Sequence, residues 1–305
     1  MSFALGTIVL GEREEAALRI GAQAYTIRDI AQALKIDLPD TVLGLLNHWS
    51  DVLPRLEGAA AAIGKGKVHV AGRDLADVKL AQPVRSRKVY CVGANYADHL
   101  LEMGASDAHK PGQPPFFFMK PASTAICGPG DTVRIPDGCE NFDWEGEVVV
   151  VFGKGGKNIS PDKALEHIAG YTLGIDFTAR DQFEAPELLF RFNFALGKCQ
   201  DNTAPVGPWI APSSSVDGTD LPFSLAVNGV QKQSSSTRMM LYTLQEQIAE
   251  ISRRIAIEPG DLLFTGTPAG VGRPRGERIH HGDTVAVTGD VIGRLVVRVL
   301  ANGND

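Results

Sequence analysis

The chain has few cysteines and no long apolar run, and these absences exclude several classes of protein. Its four cysteines form neither a CxxC pair nor a regularly spaced disulfide framework, so we expect reduced thiols. No apolar stretch reaches the roughly 18 residues that are needed to cross a bilayer. The N-terminus also lacks the order of basic, apolar and small residues that marks a signal peptide. We therefore expect a cytoplasmic protein with no membrane partner.

Basic charge is also scarce. The formal charge of -6 and the lack of a concentrated basic patch argue against a nucleic-acid partner. What the chain has in quantity is glycine and proline, 33 and 18 residues, which indicates many turns between short strands. At 305 residues and 44% apolar content it can bury a substantial core, in one large or two modest domains.

The pattern along the chain predicts two units. Residues 1–82 are expected to form a small α+β N-terminal accessory domain, with helices at residues 26–34 and 40–56. Residues 83–305 are expected to form the main domain, which opens with a strand at residues 87–93 and is dominated by strand and turn signals. The predicted fold class is mostly β with some α.

Two carboxylates, Glu145 and Glu147, lie at the start of an apolar run that extends to Phe152. Such a run is typical of a buried strand, in which residues i and i+2 point to the same face, about 6 to 7 Å apart. Two like charges on a partly buried face repel each other and resist desolvation. The pair therefore needs either full exposure at a strand end or a cation between the carboxylates, and the motif alone leaves both open.

A third acid, Asp176, ends another apolar strand at residues 171–177. In isolation it is equally compatible with a helix N-cap or a turn. Together with Glu145 and Glu147 it would make a site of hard oxygen ligands, suited to Mg²⁺ or Mn²⁺ and poorly suited to zinc. Three such ligands leave coordination positions open, as a catalytic metal requires.

A candidate base follows the first strand of the main domain. On a helix, His99 and Glu102 are i and i+3 neighbours, so the glutamate can orient the imidazole for proton abstraction from water. The alternative is a surface pair on a helix. Two lysines are further candidate site residues. Lys120 closes a run of three phenylalanines, and Lys198 lies beside Gly197. A lysine that snorkels from an apolar surface also explains Lys120.

A glycine-rich segment at residues 264–272 offers hydroxyls and backbone amides to an anion, and its alternative is a plain turn. It lacks the order of a nucleotide-binding loop.

These motifs, taken together with those of the preceding paragraphs, resemble the fumarylacetoacetate hydrolase family over residues 87–305. The resemblance rests on six elements in the family's order: Asn95-Tyr96-x-x-His99-x-x-Glu102, Phe117-x-x-Lys120-Pro121, Asp143-Trp144-Glu145-Gly146-Glu147, Gly170-Tyr171-Thr172 with Asp176 and Thr178-Ala179-Arg180-Asp181, Gly197-Lys198 ahead of Ala204-Pro205-x-Gly207-Pro208-Trp209, and Gly260-Asp261 ahead of Thr265-Gly266-Thr267-Pro268-Ala269-Gly270-Val271-Gly272.

The resemblance implies a mixed β-sandwich roll that forms a homodimer. It implies Mg²⁺ or Mn²⁺ held by Glu145, Glu147 and Asp176. It further implies a catalytic dyad of His99 and Glu102 on a lid, with Lys198 also in the catalytic site. The residues that it implies for substrate binding are Lys120, Arg180, Gln182, Thr265, Gly266 and Thr267. One departure is that Gln182 follows Asp181 directly, where the family often has an intervening residue.

The resemblance also implies the reaction class. The leading hypothesis is hydrolysis of a carbon–carbon bond in a 2,4-diketo acid, an acylpyruvate-like or fumarylacetoacetate-like compound, through a metal-held enolate. The alternatives keep the same site and are an isomerase, decarboxylase or lyase that acts on a related acid, such as oxaloacetate, hydroxyheptadienedioate or ureidoglycolate. A protein that binds a small acid without turning it over is a third possibility, and the His99 and Glu102 pair counts against it.

Overall fold

The computed structural model describes residues 2–108, 112–184, 189 and 191–301. Strands outweigh helices in this part of the chain, so the predicted mostly-β class is confirmed. The strands are β1 Ala4–Leu10, β2 Arg13–Ile20, β3 Gln23–Thr26, β4 Arg73–Asp74, β5 Lys79–Leu80, β6 Val89–Val92, β7 Phe117–Lys120, β8 Ile126–Cys127, β9 Thr132–Ile135, β10 Phe142–Asp143, β11 Gly146–Phe152, β12 Ile168–Ile175, β13 Thr178–Ala179, β14 Ala204–Pro212, β15 Pro222–Val227, β16 Val230–Ser236, β17 Leu262–Phe264, β18 Thr284–Gly289 and β19 Gly293–Ala301.

The helices of the described residues are short, apart from two. The α-helices are α1 Ile27–Leu34, α2 Val42–Asn47, α3 Trp49–Gly64, α4 Ala97–Glu102, α5 Arg180–Phe183, α6 Phe194–Lys198 and α7 Leu244–Arg254. Single-turn or short 3₁₀ segments lie at Leu75–Asp77, Pro161–His167, Thr237–Met239 and Arg273–Arg275. Across the described residues, no helix is both long and apolar enough to span a membrane.

The sheets mix parallel and antiparallel pairing. The largest has the strand order β4-β3-β2-β1-β14-β12-β11-β17-β6-β7, with β5 paired to β1 and β8 paired to β14. A second sheet has the order β16-β15-β18-β19-β9, and β10 pairs with β13. Most pairs are antiparallel, whereas β17 with β6, β14 with β8 and β19 with β9 are parallel. The predicted mixed β architecture is confirmed.

Strand β11 is buried on both faces, which explains its unbroken run of valines. Val148 and Val150 pack in the core that includes Leu225 and Val287 of the second sheet. Val149 and Val151 pack in the other large core, with residues of α2 and α3. Because alternate side chains of a strand point to opposite faces, the two cores hold β11 between them. The strand that carries Glu147, one of the candidate metal ligands, is therefore fixed from both sides.

The N-terminal segment joins the main sheet, although it was expected to be a separate unit. Strand β1 pairs with β14 at Leu5 and Ile210. Side chains of this segment, such as Leu18 and Trp49, belong to the same core as Phe264. The division into residues 1–82 and 83–305 stays a prediction, and the shared core indicates that the two parts stabilise each other.

The predicted helix at residues 26–34 is found as α1, and the hydroxyl of Thr26 caps it by accepting a hydrogen bond from the Asp29 amide at 3.1 Å. The predicted helix at residues 40–56 is instead two helices, α2 and α3. His48 ends the first and begins the second, with a backbone of φ -125° and ψ 31° that is not helical. Apolar periodicity alone does not reveal such a break, because the buried residues on either side of it keep nearly the same spacing.

Gly170 in β12 lies against the backbone of β14. A Cβ at this position would lie 2.3 Å from the carbonyl oxygen of Ala211, so Gly170→Ala must displace the neighbouring strand. Overpacking of this kind costs about 1–3 kcal/mol, and we expect urea unfolding to show a loss of at least that size. Gly58→Ala in α3 is the control, because open space surrounds its Cβ and the change should be neutral or stabilising by up to about 1 kcal/mol. Equal losses in the two variants would contradict this account.

Candidate metal centre and active site

The three predicted metal ligands lie together at the ends of two paired strands. Glu145 directly precedes β11 and Glu147 is its second residue, while Asp176 directly follows β12. Antiparallel pairing sets Gly146 opposite Ile175, and the Asp176 amide donates a hydrogen bond to the Glu145 carbonyl oxygen at 2.8 Å. One carboxylate oxygen from each residue lies within 4.8 Å of the others, and all three side chains are buried. We call these residues the acidic triad.

Two buried lysines contact the acidic triad. The ammonium of Lys198 lies 2.7 Å from Glu145 Oε2 and 2.7 Å from Asp176 Oδ2. Lys120 Nζ lies 2.6 Å from Asp176 Oδ1 and donates hydrogen bonds to the carbonyl oxygens of Phe177 and Thr203. Lys120 was predicted to bind substrate and Lys198 to lie in the catalytic site, and the structure brings both to the acidic triad. Lys120 is therefore not a surface lysine that snorkels from an apolar patch.

The charges in the acidic triad are unevenly compensated. Burial alone would raise the pKa of Glu145, but Lys198 and Arg180 outweigh it and hold that pKa well below its ordinary value. Burial raises the pKa of Glu147, and repulsion from Asp176 and Glu145 raises it further. The Gly266 amide donates a hydrogen bond to Glu147 at 2.7 Å and opposes this shift only in part. Glu147 is thus the carboxylate of the triad with the greatest need of an additional cation.

The acidic triad fits a hard divalent cation. Its donors are carboxylate oxygens, which Mg²⁺ and Mn²⁺ prefer. Their separation of at most 4.8 Å is compatible with one ion between them, since hard-cation ligands lie about 2.0 to 2.6 Å from the ion. A cation would relieve the burial and the repulsion that raise the pKa of Glu147, which gives such an ion a physical reason to bind. We therefore take Glu145, Glu147 and Asp176 as the residues that would hold it.

The predicted dyad is formed. His99 Nδ1 lies 2.9 Å from Glu102 Oε1 on α4, and both side chains are largely buried. The Gly270 amide donates to Glu102 Oε2 at 2.8 Å. Burial alone would raise the pKa of Glu102, but these partners outweigh it and lower that pKa, so the carboxylate is ionised at neutral pH. A surface pair on a helix is excluded by this burial and by the contact with a distant part of the chain.

The glycine-rich segment at residues 264–272 connects the dyad to the acidic triad. Its Gly266 amide donates a hydrogen bond to Glu147, and four residues further along the Gly270 amide donates one to Glu102. Gly266 has a φ of +100° and Gly270 a φ of +115°, conformations that glycine adopts without strain. The segment therefore aligns the candidate base with the candidate metal ligands. We call it the glycine loop.

The predicted substrate-binding residues of the glycine loop make contacts within the protein. The Thr265 hydroxyl donates to the Val148 carbonyl oxygen at 2.8 Å, and the Thr267 hydroxyl donates to the Gly146 carbonyl oxygen at 2.9 Å. Both bonds hold the loop against β11. The two hydroxyl protons are therefore engaged, and the role of Thr265, Gly266 and Thr267 in substrate binding stays a prediction.

Arg180 and Gln182 of α5 also have partners in the protein. Arg180 donates to Asp143 Oδ2 at 2.9 Å and to Glu145 Oε1 at 2.6 Å. Gln182 donates to the Asp137 carbonyl oxygen at 2.7 Å and accepts a hydrogen bond from Gln200. Arg180 therefore positions Glu145, a candidate metal ligand, and Gln182 stabilises the loop that contains Asp137. Their contact with substrate stays a prediction.

Asp143 is a site residue to which the sequence reasoning gave no role. It accepts hydrogen bonds from Arg180 and, at 2.7 Å, from the Gly272 amide, so it links α5 to the glycine loop. The alternation Asp143, Glu145, Glu147 was a usable signal, because residues two apart share a face of a strand. Gln233 was also missed. Its amide bonds to the Thr267 hydroxyl and the Pro268 carbonyl oxygen, and no local signal in a serine-flanked strand indicates that role.

The chain belongs to the fumarylacetoacetate hydrolase family, since residues 88–300 match the family described as Fumarylacetoacetate (FAA) hydrolase C-terminal. It is 37% identical over 227 residues to the oxaloacetate tautomerase YisK of Bacillus subtilis, which covers 72% of this chain and 73% of that protein. The resemblance inferred from the six sequence elements is confirmed. The family is one of enzymes that include hydrolases, isomerases and tautomerases.

Among the solved structures with a similar fold, two bear on the function. A 2-hydroxyhepta-2,4-diene-1,7-dioate isomerase from Mycobacterium marinum has a TM-score of 0.73 at 30% identity, over 99% of this chain and 100% of that chain. A fumarylpyruvate hydrolase from Pseudomonas aeruginosa, in complex with Mn²⁺ and pyruvate, has a TM-score of 0.64 at 37% identity, over 72% of this chain and 92% of that chain. The first likeness includes the N-terminal segment as well as the main domain.

Proposed function

We propose that the protein is a metal-dependent hydrolase that cleaves a carbon–carbon bond in a 2,4-diketo acid of the acylpyruvate type. The observation that carries the proposal is the glycine loop, which joins a largely buried imidazole–carboxylate dyad to a triad of hard oxygen ligands. A metal site alone would serve a binding protein. A general base held against the same site serves proton transfer, which favours an enzyme.

The charge of the site supports an anionic substrate. The acidic triad and Asp143 bring four carboxylates, against the three cationic side chains of Lys120, Lys198 and Arg180 that contact them. With all four carboxylates ionised around a bound divalent cation, the site would carry one positive charge in total. A substrate that binds through a single carboxylate would then neutralise the site. A 2-oxo acid satisfies this condition and offers a keto oxygen beside its carboxylate.

The cation, Mg²⁺ or Mn²⁺ held by the acidic triad, would supply positive charge to the substrate oxygens as negative charge develops on them. Lys198, whose ammonium group contacts Glu145 and Asp176 and has a third N–H donor, would donate a hydrogen bond to the same oxygens. Lys120, whose three donors are engaged within the protein, would hold Asp176 in place. His99 would accept a proton from a water molecule, and Glu102 would hold the ring in the orientation for this transfer.

The bond changes balance without any further reactant. The water oxygen forms a bond to the acyl carbonyl carbon, and the bond between that carbon and C3 of the pyruvate part breaks. The electron pair leaves with the pyruvate part, which takes up a proton at C3 and becomes pyruvate. The acyl part becomes a carboxylic acid and loses its proton to solvent.

A second candidate is keto–enol tautomerisation or isomerisation of a related 2-oxo acid at the same site. Its support is the likeness to YisK, named an oxaloacetate tautomerase, and to the isomerase from Mycobacterium marinum. His99 could move a proton between carbon and oxygen with the same dyad. Decarboxylase and lyase chemistry, the choice between Mg²⁺ and Mn²⁺, homodimer formation and a cytoplasmic location also stay predictions.

A substrate panel tests the proposal. Acetylpyruvate and longer acylpyruvates should be hydrolysed to pyruvate, followed by coupling to lactate dehydrogenase, in the presence of Mg²⁺ or Mn²⁺. Removal of the metal with EDTA should abolish turnover, and an excess of Mg²⁺ should restore it, because the triad holds no substrate without its cation. Oxaloacetate and ureidoglycolate are assayed in parallel, the first by the loss of its enol absorbance.

Each outcome has a clear meaning. No hydrolysis of any acylpyruvate, with rapid loss of oxaloacetate enol, would replace the hydrolase by the tautomerase. Full activity in EDTA would remove the metal from the proposal.

A further inference from the structure

An exposed ion pair stands at the edge of the site, between Arg273 and Glu184. Arg273 directly follows the glycine loop, and Glu184 directly follows α5. Arg273 Nη2 lies 2.7 Å from Glu184 Oε2, its Nη1 also contacts the carboxylate, and 40% of each side chain is exposed. Exposed ion pairs contribute little to stability, because water screens them and both side chains lose freedom. The position of the Arg273–Glu184 pair next to the candidate catalytic residues therefore indicates a role other than stability.

Arg273 and Glu184 line two cavities, each of about 220 Å³. One cavity is also lined by Asp143 and Arg180, the pair that positions Glu145. The other is also lined by Glu102 of the dyad, and Arg273 is the basic side chain among its described lining residues. Arg273 therefore borders both the cavity beside Asp143 and Arg180 and the cavity beside Glu102. A substrate that spans the site would reach Arg273 with the end remote from the metal.

The backbone at Arg273 is fixed, whereas its ion-pair partner can be replaced. Asp143 accepts hydrogen bonds from the amides of Gly272, at 2.7 Å, and Arg273, at 3.2 Å. The same Asp143 is paired with Arg180, so the base of the Arg273 side chain is tied to the metal site. Glu184, by contrast, presents an exposed carboxylate to the forked face of a guanidinium, which is the geometry in which arginine binds any carboxylate.

We propose that Arg273 determines specificity by binding the remote carboxylate of a dicarboxylic substrate, and that Glu184 occupies this position until the substrate replaces it. The inference rests on the proposed function, since it names the end of the acyl group of the same substrate. In this arrangement Glu184 competes with the substrate for one guanidinium. Removal of the arginine and removal of the glutamate therefore have opposite effects on binding, whereas a purely structural ion pair would give effects of the same sign.

Binding is measured by calorimetry in a His99→Ala background, which prevents turnover, with Mg²⁺ present. The two ligands are succinylpyruvate and its terminal amide, which has nearly the same shape without the second charge. We expect the dicarboxylate to bind about 10- to 100-fold more tightly than the amide, as is typical of a charge-assisted pair. Arg273→Ala should remove this preference, Arg273→Lys should keep part of it, and Glu184→Gln should increase it.

Arg85→Ala is the matched control, since Arg85 forms an exposed pair with Glu14 in the N-terminal part at 2.7 Å. It should leave the preference unchanged. Equal affinity of the parent for the two ligands, a preference that survives Arg273→Ala, or a decrease in both Arg273→Ala and Glu184→Gln would overturn the inference. Thermal unfolding of each variant shows whether it is folded.

The experiment distinguishes a failure of the proposed function from a failure of the inference about Arg273. If the protein with His99 intact hydrolyses no acylpyruvate while the preference for the dicarboxylate is present and depends on Arg273, the hydrolase proposal is wrong and the role of Arg273 stands.

Discussion

Glu147→Gln is expected to remove the response of the protein to Mg²⁺ or Mn²⁺ and, at the same time, to make the metal-free protein more stable. Glu147 is buried beside Glu145 and Asp176, and its described partner is a backbone amide rather than a lysine. Glutamine keeps the shape and an oxygen that can accept the Gly266 hydrogen bond, but it removes the charge. The repulsion that a metal ion would relieve is therefore gone before any metal is added.

The size of the effect follows from mass action. A metal at 100 times its dissociation constant stabilises the folded state by about 2.7 kcal/mol. Loss of even an outer-shell partner lowers metal affinity by about 10- to 100-fold, and we expect loss of a direct ligand to exceed this. Thermal unfolding in EDTA measures the gain in stability of the metal-free protein, and thermal unfolding in excess Mn²⁺ measures the loss of the metal response. Acylpyruvate turnover should fall at least about 100-fold.

Glu12→Gln is the control, because Glu12 is an exposed glutamate in the N-terminal segment. It should change neither the melting temperature in EDTA nor the shift produced by Mn²⁺. A Glu147→Gln protein that retains the full Mn²⁺ shift would show that Glu147 is not a ligand, and one that is less stable in EDTA would show that its charge is satisfied without a metal.

His99→Ala is expected to lower turnover by about 10²- to 10⁴-fold, the usual contribution of an oriented general base. The metal response should be nearly intact, because His99 is not a member of the acidic triad. Glu102→Gln should give a smaller loss, since it retains a hydrogen-bond acceptor for the ring but removes the charge that stabilises the protonated imidazole. Turnover and the metal response, measured separately, distinguish a loss of proton transfer from a loss of metal binding.

Steady-state kinetics on acetylpyruvate with saturating Mg²⁺ measures the loss, and thermal unfolding with Mn²⁺ measures the metal response. His69→Ala, at an exposed position, is the control and should leave both unchanged. Turnover that survives His99→Ala would remove the dyad from the mechanism. A simultaneous loss of turnover and of the Mn²⁺ shift would mean that His99 acts by shaping the metal site.

Local pattern predicted the parts of the site that lie within one strand or one helix. Glu145 and Glu147 lie two residues apart at the start of β11 and come together as strand alternation predicts, and His99 and Glu102 share a helix face because they are three apart. The same reasoning found α1 and the valine run of β11. It failed at His48, where a non-helical residue divides two helices without disturbing the apolar spacing.

Pairing between distant segments was beyond that reasoning. The sequence indicates a lysine near an apolar run, but only the packed structure brings Lys120 and Lys198 to Asp176 from two separate elements. It suggests that the hydroxyls of Thr265 and Thr267 could meet an anion, and the structure shows them bonded to β11. Hydrogen-bond donors are directional, and their partner depends on which strand lies beside them.

The sequence by itself determined the family of this protein and its candidate chemical groups: three carboxylates at strand ends, and a histidine with a glutamate one helical turn away. The tertiary structure alone decided how these groups are coupled. Gly266 and Gly270 bind Glu147 and Glu102 from one loop, and Arg273 follows that loop to the edge of the site. Side-chain spacing along a strand or helix is set by backbone geometry, whereas contacts between segments more than a hundred residues apart depend on the packing of the whole core.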